Sequence, residues 1–202
     1  MSAPHDAVPP APQWQALAAA GHVGDEALAR GAMHHPHPAA RELALGALQR
    51  MGVLTDHEVA TAMADPDAAV RRRGLRLAAT RPAIELLGAL HDPDPTVVEV
   101  AAWAAGEHEQ VADAVVERLC AVAVEATDAL VREAAVAALG AIGDPRGLPA
   151  ILAGCTDKPA IRRRAVLALA PFEGPEVDAA LEAARSDHDW QVRQSAEDIS
   201  PG

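Results

Sequence analysis

Residues 128–152 read DALVREAAVAALGAIGDPRGLPAIL, and this stretch decides the fold. Asp128 suits a helix N-cap, because its carboxylate can accept a backbone N–H that the first helical turn leaves without a partner. Apolar Val131 then precedes Arg132, and small Ala135 follows three places on. After the glycine- and proline-bearing GDPRG, a shorter apolar stretch, LPAILAG, begins at Leu148. The pattern predicts a helix from about residue 129, a turn, and a second, shorter helix.

The same order recurs along the chain. Aligned on an apolar residue followed by the anchor, it gives Ala40-Arg41, Val70-Arg71, Val97-Val98, Val131-Arg132, Ile161-Arg162 and Val192-Arg193. Three places after each anchor stand Ala44, Gly74, Ala101, Ala135, Ala165 and Ala196, small side chains where two helices must approach closely. Four places before stand His37, Asp67, Asp94, Asp128, Lys158 and Asp189, four of which are good N-caps. Pro38, Pro95 and Pro159 follow at the first helical position, where a missing N–H costs nothing. Helices are therefore predicted to begin near 38, 68, 95, 129, 159 and 190. Shorter amphipathic stretches precede them: DEALARGAM from 25, HEVATAMA from 57, AIELLGAL from 83, QVADAVVERLCAVAV from 110, LPAILAG from 148 and EVDAALEAA from 176. Each repeat is a helical hairpin with its anchor on the second helix. The expected fold is all-α, an α-solenoid of about six hairpins over residues 13–199, preceded by a flexible proline-rich tail over 1–12.

These repeats, and above all 128–152, resemble the HEAT-like repeats of the phycocyanobilin-lyase type over roughly residues 25–198. Two departures stand out: Val98 replaces the usual arginine in the third repeat, and the fourth has an extended first helix. The resemblance implies a solenoid whose second helices line a concave binding face. It leaves activity open, because such repeats serve adaptors, bilin lyases, hydroxylases and DNA glycosylases alike. HEAT-like deoxyhypusine hydroxylases carry His-Glu pairs just after the anchor arginine to hold a di-iron centre. The corresponding pairs here are Glu42-Leu43, Arg72-Arg73, Glu99-Val100, Glu133-Ala134, Arg163-Arg164 and Gln194-Ser195, and none matches. His57-Glu58 and His108-Glu109 fall elsewhere in the repeat.

One place after each anchor stand Glu42, Arg72, Glu99, Glu133, Arg163 and Gln194, a polar stripe expected to be exposed. Residues three or four further on share its face, which adds Arg76 and Trp103. The candidate partner-binding residues are thus Arg72, Arg73, Arg76, Trp103, Arg163 and Arg164. Arg76 and Trp103 hold equivalent positions in successive repeats, about one helix spacing, ~10 Å, apart, and Arg and Trp are common interface anchors. The anchor arginines 41, 71, 132, 162 and 193 are expected to be structural, joined to loop aspartates of neighbouring repeats. Trp190 is expected to cover the end of the stack. His34, His35 and His37 could hold a transition metal, but they fall on a hairpin turn where other repeats carry Asp, with no Cys or carboxylate at ligand spacing. A polar turn is the simpler expectation.

Composition bounds the rest. Among the 202 residues half are hydrophobic, but only Trp14, Trp103, Trp190 and Phe172 are aromatic, which suits close helix packing and argues against a tetrapyrrole pocket. The 29 acidic and 17 basic residues give a net charge of −12, which opposes a nucleic-acid partner. Cys120 and Cys155 stand outside any CxxC pattern and fit a reducing cytoplasm. The N-terminus has no apolar run of signal-peptide type, and no stretch reaches membrane-spanning length. The sequence therefore reads as a cytoplasmic, bacterial-type adaptor or scaffold without a cofactor, holding a protein or peptide, of acidic character to suit the arginines. A bilin-lyase-like or DNA-glycosylase-like HEAT enzyme is the alternative.

Overall fold

The computed structural model describes residues 11–199. Over that span it is all-helical, with α1 Ala11–Val23, α2 Glu26–Ala32, α3 Pro38–Met51, α4 Asp56–Met63, α5 Ala68–Ala78, α6 Pro95–Gly106, α7 Asp113–Glu125, α8 Ala129–Ile142, α9 Leu148–Gly154, α10 Pro159–Ala168, α11 Pro175–Arg185 and α12 Trp190–Ile199. Short 3₁₀ turns occupy Leu87–His91 and Pro145–Gly147. The architecture is an α-solenoid of helical hairpins. The chain packs as two compact units, residues 1–78 and 79–202. The expected tail falls largely on residues 1–10, outside the described span; Ala11 and Pro12 already belong to α1.

The six second helices, α3, α5, α6, α8, α10 and α12, start at 38, 68, 95, 129, 159 and 190, as the repeat predicts. Side-chain caps do this at five of the six. Asp67 Oδ1 accepts from Ala69 N at 2.8 Å, Asp94 from Thr96 N at 2.9 Å, Asp128 from Leu130 N at 2.8 Å and Asp189 from Gln191 N at 2.8 Å. His37 substitutes an imidazole, its Nδ1 accepting from Ala39 N at 3.3 Å. Lys158 has no such bond, and there Pro159 alone favours helix entry.

Two elements depart from expectation. Helix α1 carries no anchor and was not foreseen; it packs on α3 so closely that a Cβ on Gly21 would stand 2.8 Å from Ala47 Cα. The segment AIELLGAL forms only the 3₁₀ turn Leu87–His91. Its repeat is three residues shorter than its neighbour, nearly one helical turn, and a 3₁₀ turn spans more length per residue. Ile84, Leu86 and Leu90 are buried all the same.

Within each unit the core is a seam of alanine and leucine between successive second helices. Ala44, Ala101, Ala135, Ala165 and Ala196 are fully buried. At the equivalent Gly74, a Cβ would lie 2.8 Å from Met63 N of α4, so even alanine is too large in that hairpin. Within the second unit α8 approaches α10 closely, and a Cβ on Gly140 would fall 2.6 Å from Ala168 Cα.

The anchor arginines join repeat to repeat. Each turns its Nη1 back to the carbonyls that precede its own helix: Arg41 to His35 O and Pro36 O, Arg71 to Asp65 O and Pro66 O, Arg132 to Ala126 O and Thr127 O, Arg162 to Asp157 O, and Arg193 to Asp187 O and His188 O. At three of them the other edge of the fork grips an aspartate in the next repeat's turn. Arg41 holds Asp65 at 2.7 and 2.6 Å, Arg132 holds Asp157 at 2.7 and 2.9 Å, and Arg162 holds Asp187 at 2.8 and 2.8 Å. The same carboxylates brace their own turns, Asp65 accepting from Asp67 N and Asp187 from Asp189 N, both at 2.8 Å.

These pairs are largely shielded, with Arg162 and Asp187 side chains 20% and 14% exposed. The Arg162 guanidinium hydrogen-bonded to Asp187 holds that carboxyl below its ordinary value. A carboxylate whose folded value is depressed contributes stability that is complete above its unfolded value, about 3.9, and is lost as pH falls through the folded one. Asp187→Asn is expected to cost ~1–3 kcal/mol at pH 7, with the gap to wild type closing below about pH 4, as read by thermal melts across that range. Gly140→Ala gains helix propensity of up to ~1 kcal/mol but forces α8 from α10. Overpacking of this kind costs ~1–3 kcal/mol, so denaturant titration should show net destabilisation.

Candidate functional site

The anchor fixes which face of each second helix is left over. With the residue before the anchor and the residue three after it turned into the seam, positions one and five after the anchor share the remaining surface. The polar stripe at the first of these is less open than expected: Glu42, Arg72, Glu99, Glu133 and Arg163 are half-buried and only Gln194 is exposed. A long side chain on a packed helix is shaded along its aliphatic stem, which lowers its exposure without making it core.

In the first unit, Arg72, Arg73 and Arg76 lie on α5, the first two half-buried and Arg76 exposed. Arg73 extends over α3, where a Cβ on Gly46 would meet its Nη2 at 3.3 Å. Arg72 has interaction partners of its own. An apolar hollow of about 380 Å³ lies between α1, α2 and α3, lined by Trp14, Leu17, Leu28, Ala32, His35 and Ala40.

In the second unit, Trp103 on α6 is 44% exposed and Leu167 on α10, at the same repeat position, is 37% exposed. Half-buried Ala137 of α8 holds that position in the intervening repeat. The three make an apolar stripe five places after the anchors, bordered by Glu99, Glu133 and Arg163 one place after them. Arg164 adds a cation beside Glu133, its Nε 3.7 Å from Oε1, longer than a hydrogen bond. That Nε is shielded from solvent without a hydrogen-bond partner. Trp103, Arg163 and Arg164 thus belong to one unit. Leu167 went unnoticed in the sequence because a leucine in an apolar helix reads as core; its register, five places after Arg162, was the available signal.

The histidines do the work of aspartate. His35 Nδ1 accepts from His37 N at 3.0 Å, the bond Asp65 and Asp187 make in their turns. Trp14 packs edge-on against His37 with ring centroids 5.2 Å apart. Among the described residues no three His, Cys, Asp or Glu side chains come together as metal ligands. Cys120 and Cys155 are unpaired, and burial pushes the Cys155 thiol up to about 11, which keeps it protonated and weakly nucleophilic at neutral pH. Trp190, expected to cover the end of the stack, is 64% exposed at the first turn of α12. His57 and Glu58 open α4, where Glu58 completes a capping box with Thr55. No helix of the described residues is long and apolar enough to cross a membrane.

Replacing Gly46 tests the position of Arg73. The contact is with the mobile end of a side chain, so Gly46→Ala is expected to stabilise by ~0.5–1 kcal/mol through helix propensity, in contrast to Gly140→Ala.

Residues 80–159 and 116–199 match the family model described as HEAT repeats, overlapping matches that together span more than half the chain. No curated protein matches the sequence. Among solved structures, an engineered protein aligns at TM-score 0.63 and 17% identity, covering 87% of this chain and 94% of that one. A designed armadillo repeat protein in complex with the peptide (KR)4 aligns at TM-score 0.60 and 16% identity, covering 93% and 96%. Human deoxyhypusine hydroxylase in complex with glycerol aligns at TM-score 0.48 and 20% identity, covering 91% and 75%. At these identities the likeness concerns the fold.

Proposed function

The chain belongs to the HEAT repeat family, and on that premise we propose that it is a non-catalytic scaffold, an adaptor or regulatory subunit, binding a protein or peptide on the faces of its second helices. One observation carries the reading. Two large apolar side chains, Trp103 and Leu167, are left open to solvent at matching repeat positions, although the same helices bury Val97, Ala101, Ile161 and Ala165. Exposed apolar side chains in register, rimmed by charge, are what an interface uses.

Chemistry suggests the occupant. Arg163 and Arg164 flank the apolar stripe, and Arg72, Arg73 and Arg76 give the first unit a cationic helix. A partner segment presenting apolar side chains beside Asp or Glu suits both, as does a chain whose own charge of −12 gives arginines value as local docking points. That a designed armadillo repeat protein holds a peptide supports this mode of use for a fold of this kind. We read residues 13–199 as one interaction domain, the repeats as the phycocyanobilin-lyase type, and the protein as cytoplasmic, in keeping with its two unpaired thiols.

The test is comparative capture. Wild type, Trp103→Ala, Leu167→Asp and Trp190→Ala are immobilised, and bound proteins are quantified by mass spectrometry. Trp103→Ala and Leu167→Asp are expected to lower retention of the same partner at least tenfold, a hot-spot effect of ~1.4 kcal/mol or more. Trp190→Ala should leave retention unchanged, and all three proteins should melt within ~2–4 °C of wild type. Equal retention by Trp103→Ala and wild type would sink the reading.

A further inference from the structure

Trp103 and Leu167 are not alone on their face. Leu130, in the first turn of α8, is 59% exposed. It stands two helical turns before Ala137, the small member of the apolar stripe, and so shares that residue's side of the helix. Beyond Leu130, and apart from Glu133, the open side of α8 carries nothing larger than a methyl group. Ala134, Ala137 and Gly140 are half-buried there and Ala141 is exposed. The neighbouring helix is small at the same end, since a Cβ on Gly106 of α6 would lie 3.5 Å from Ala141 Cβ.

Helices α6 and α10 both pack on α8. With successive second helices ~10 Å apart, Trp103 and Leu167 stand as walls ~20 Å from each other, and the small-residue floor of α8 runs lengthwise between them. From Leu130 to Ala141 that floor is ~16 Å long, at ~1.5 Å per residue. A helix with its side chains is ~10–12 Å across, and fits between the walls. A segment crossing the stripe would reach Trp103 and Leu167 but leave Leu130 and the Ala141 end uncovered. Charge is divided across the same channel, with Glu99 on α6 and Arg163 and Arg164 on α10. Arg164 makes no hydrogen bond at Nε, Glu133 Oε1 standing 3.7 Å away, so its fork can turn to an outside carboxylate.

We propose that the occupant of this face is an amphipathic α-helix of a partner protein, seated lengthwise on α8 between Trp103 and Leu167. The inference rests on the scaffold reading above and adds to it the partner's conformation and charge pattern. Large apolar side chains at helical spacing close on Leu130 and on the small floor beyond it, the helix-in-groove mode of recognition. An acidic flank of the helix lies towards Arg163 and Arg164, and a basic flank towards Glu99.

The probe is the capped peptide Glu-Leu-Lys-Gln-Leu-Ala-Gln-Glu-Leu-Lys-Gln-Glu-Leu-Lys, which as a helix carries leucine on one face, glutamate on one flank and lysine on the other. It is titrated into the full chain by calorimetry, beside a version with its central Ala-Gln replaced by two prolines and a version with every glutamate replaced by lysine. The parent peptide is expected to bind saturably, at least tenfold more tightly than either. Leu130→Ser and Ala141→Arg, both at exposed positions, should each weaken it at least fivefold, as should Trp103→Ala, while all three variants melt within ~2–4 °C of wild type. Absence of saturable binding, or equal binding of the proline version, overturns the helix. So does loss of binding in Trp103→Ala with none in Leu130→Ser or Ala141→Arg, an outcome that leaves the interface standing with a crossing segment on it. If Trp103→Ala also retains the captured partner as wild type does, the scaffold reading falls and the helix with it.

Discussion

The bidentate bond between an anchor arginine and an aspartate of the next repeat is the constraint on which the structure turns. One guanidinium satisfies two needs. Its Nη1 closes the carbonyls at the start of its own second helix, and its Nε and Nη2 fix the turn that starts the next one. Because that aspartate also accepts from the backbone two residues on, as Asp187 does from Asp189, each rung sets the entry of the following helix as well as its distance. An alanine-rich seam could slide; the fork, with five donors in a plane, cannot.

This explains which parts of the fold were legible in the sequence. The six second helices were placed to the residue because anchor, small residue, cap and proline each mark the same register, and local signals that agree specify one structure. Where only apolar content was available the reading failed. AIELLGAL has the composition of a helix, but its repeat is too short to hold one. Helix α1 has no anchor arginine, and Pro12 at its start, following Pro9 and Pro10 in the sequence, reads as tail. At its turn the ladder takes another form, Trp14 packing on His37 and His35 with imidazoles standing in for carboxylates. A histidine cluster that suggests metal in one dimension is, in three, the first turn of the ladder.

The candidate site was legible to a lesser degree, for a related reason. The register assigns a residue to a helix face but not the extent to which its neighbours shade it. Hence Trp103 was placed on an open surface correctly, the polar stripe was read as more exposed than it is, and Leu167 was missed. Arg163 and Glu133 are half-buried, and in long polar residues burial is divided between stem and head. Only a structure separates the two.

In the third repeat Val98 stands for the anchor arginine, and Ala126, two residues before the N-cap Asp128, stands for the aspartate it would grip. The absence of Arg and Asp at the same rung is informative because either loss alone would be costly. An arginine at 98 facing Ala126 would keep its carbonyls but lose its carboxylate; an aspartate at 126 facing Val98 would be a partly shielded charge without its partner. Removing both trades an ion pair for a hollow, and a hollow of about 380 Å³ gives up packing that larger apolar side chains could have supplied. The third repeat is also the one whose first helix shrinks to a 3₁₀ turn, and the fourth the one whose first helix lengthens to Asp113–Glu125. Opening, shortening and lengthening thus converge on a single junction between repeats.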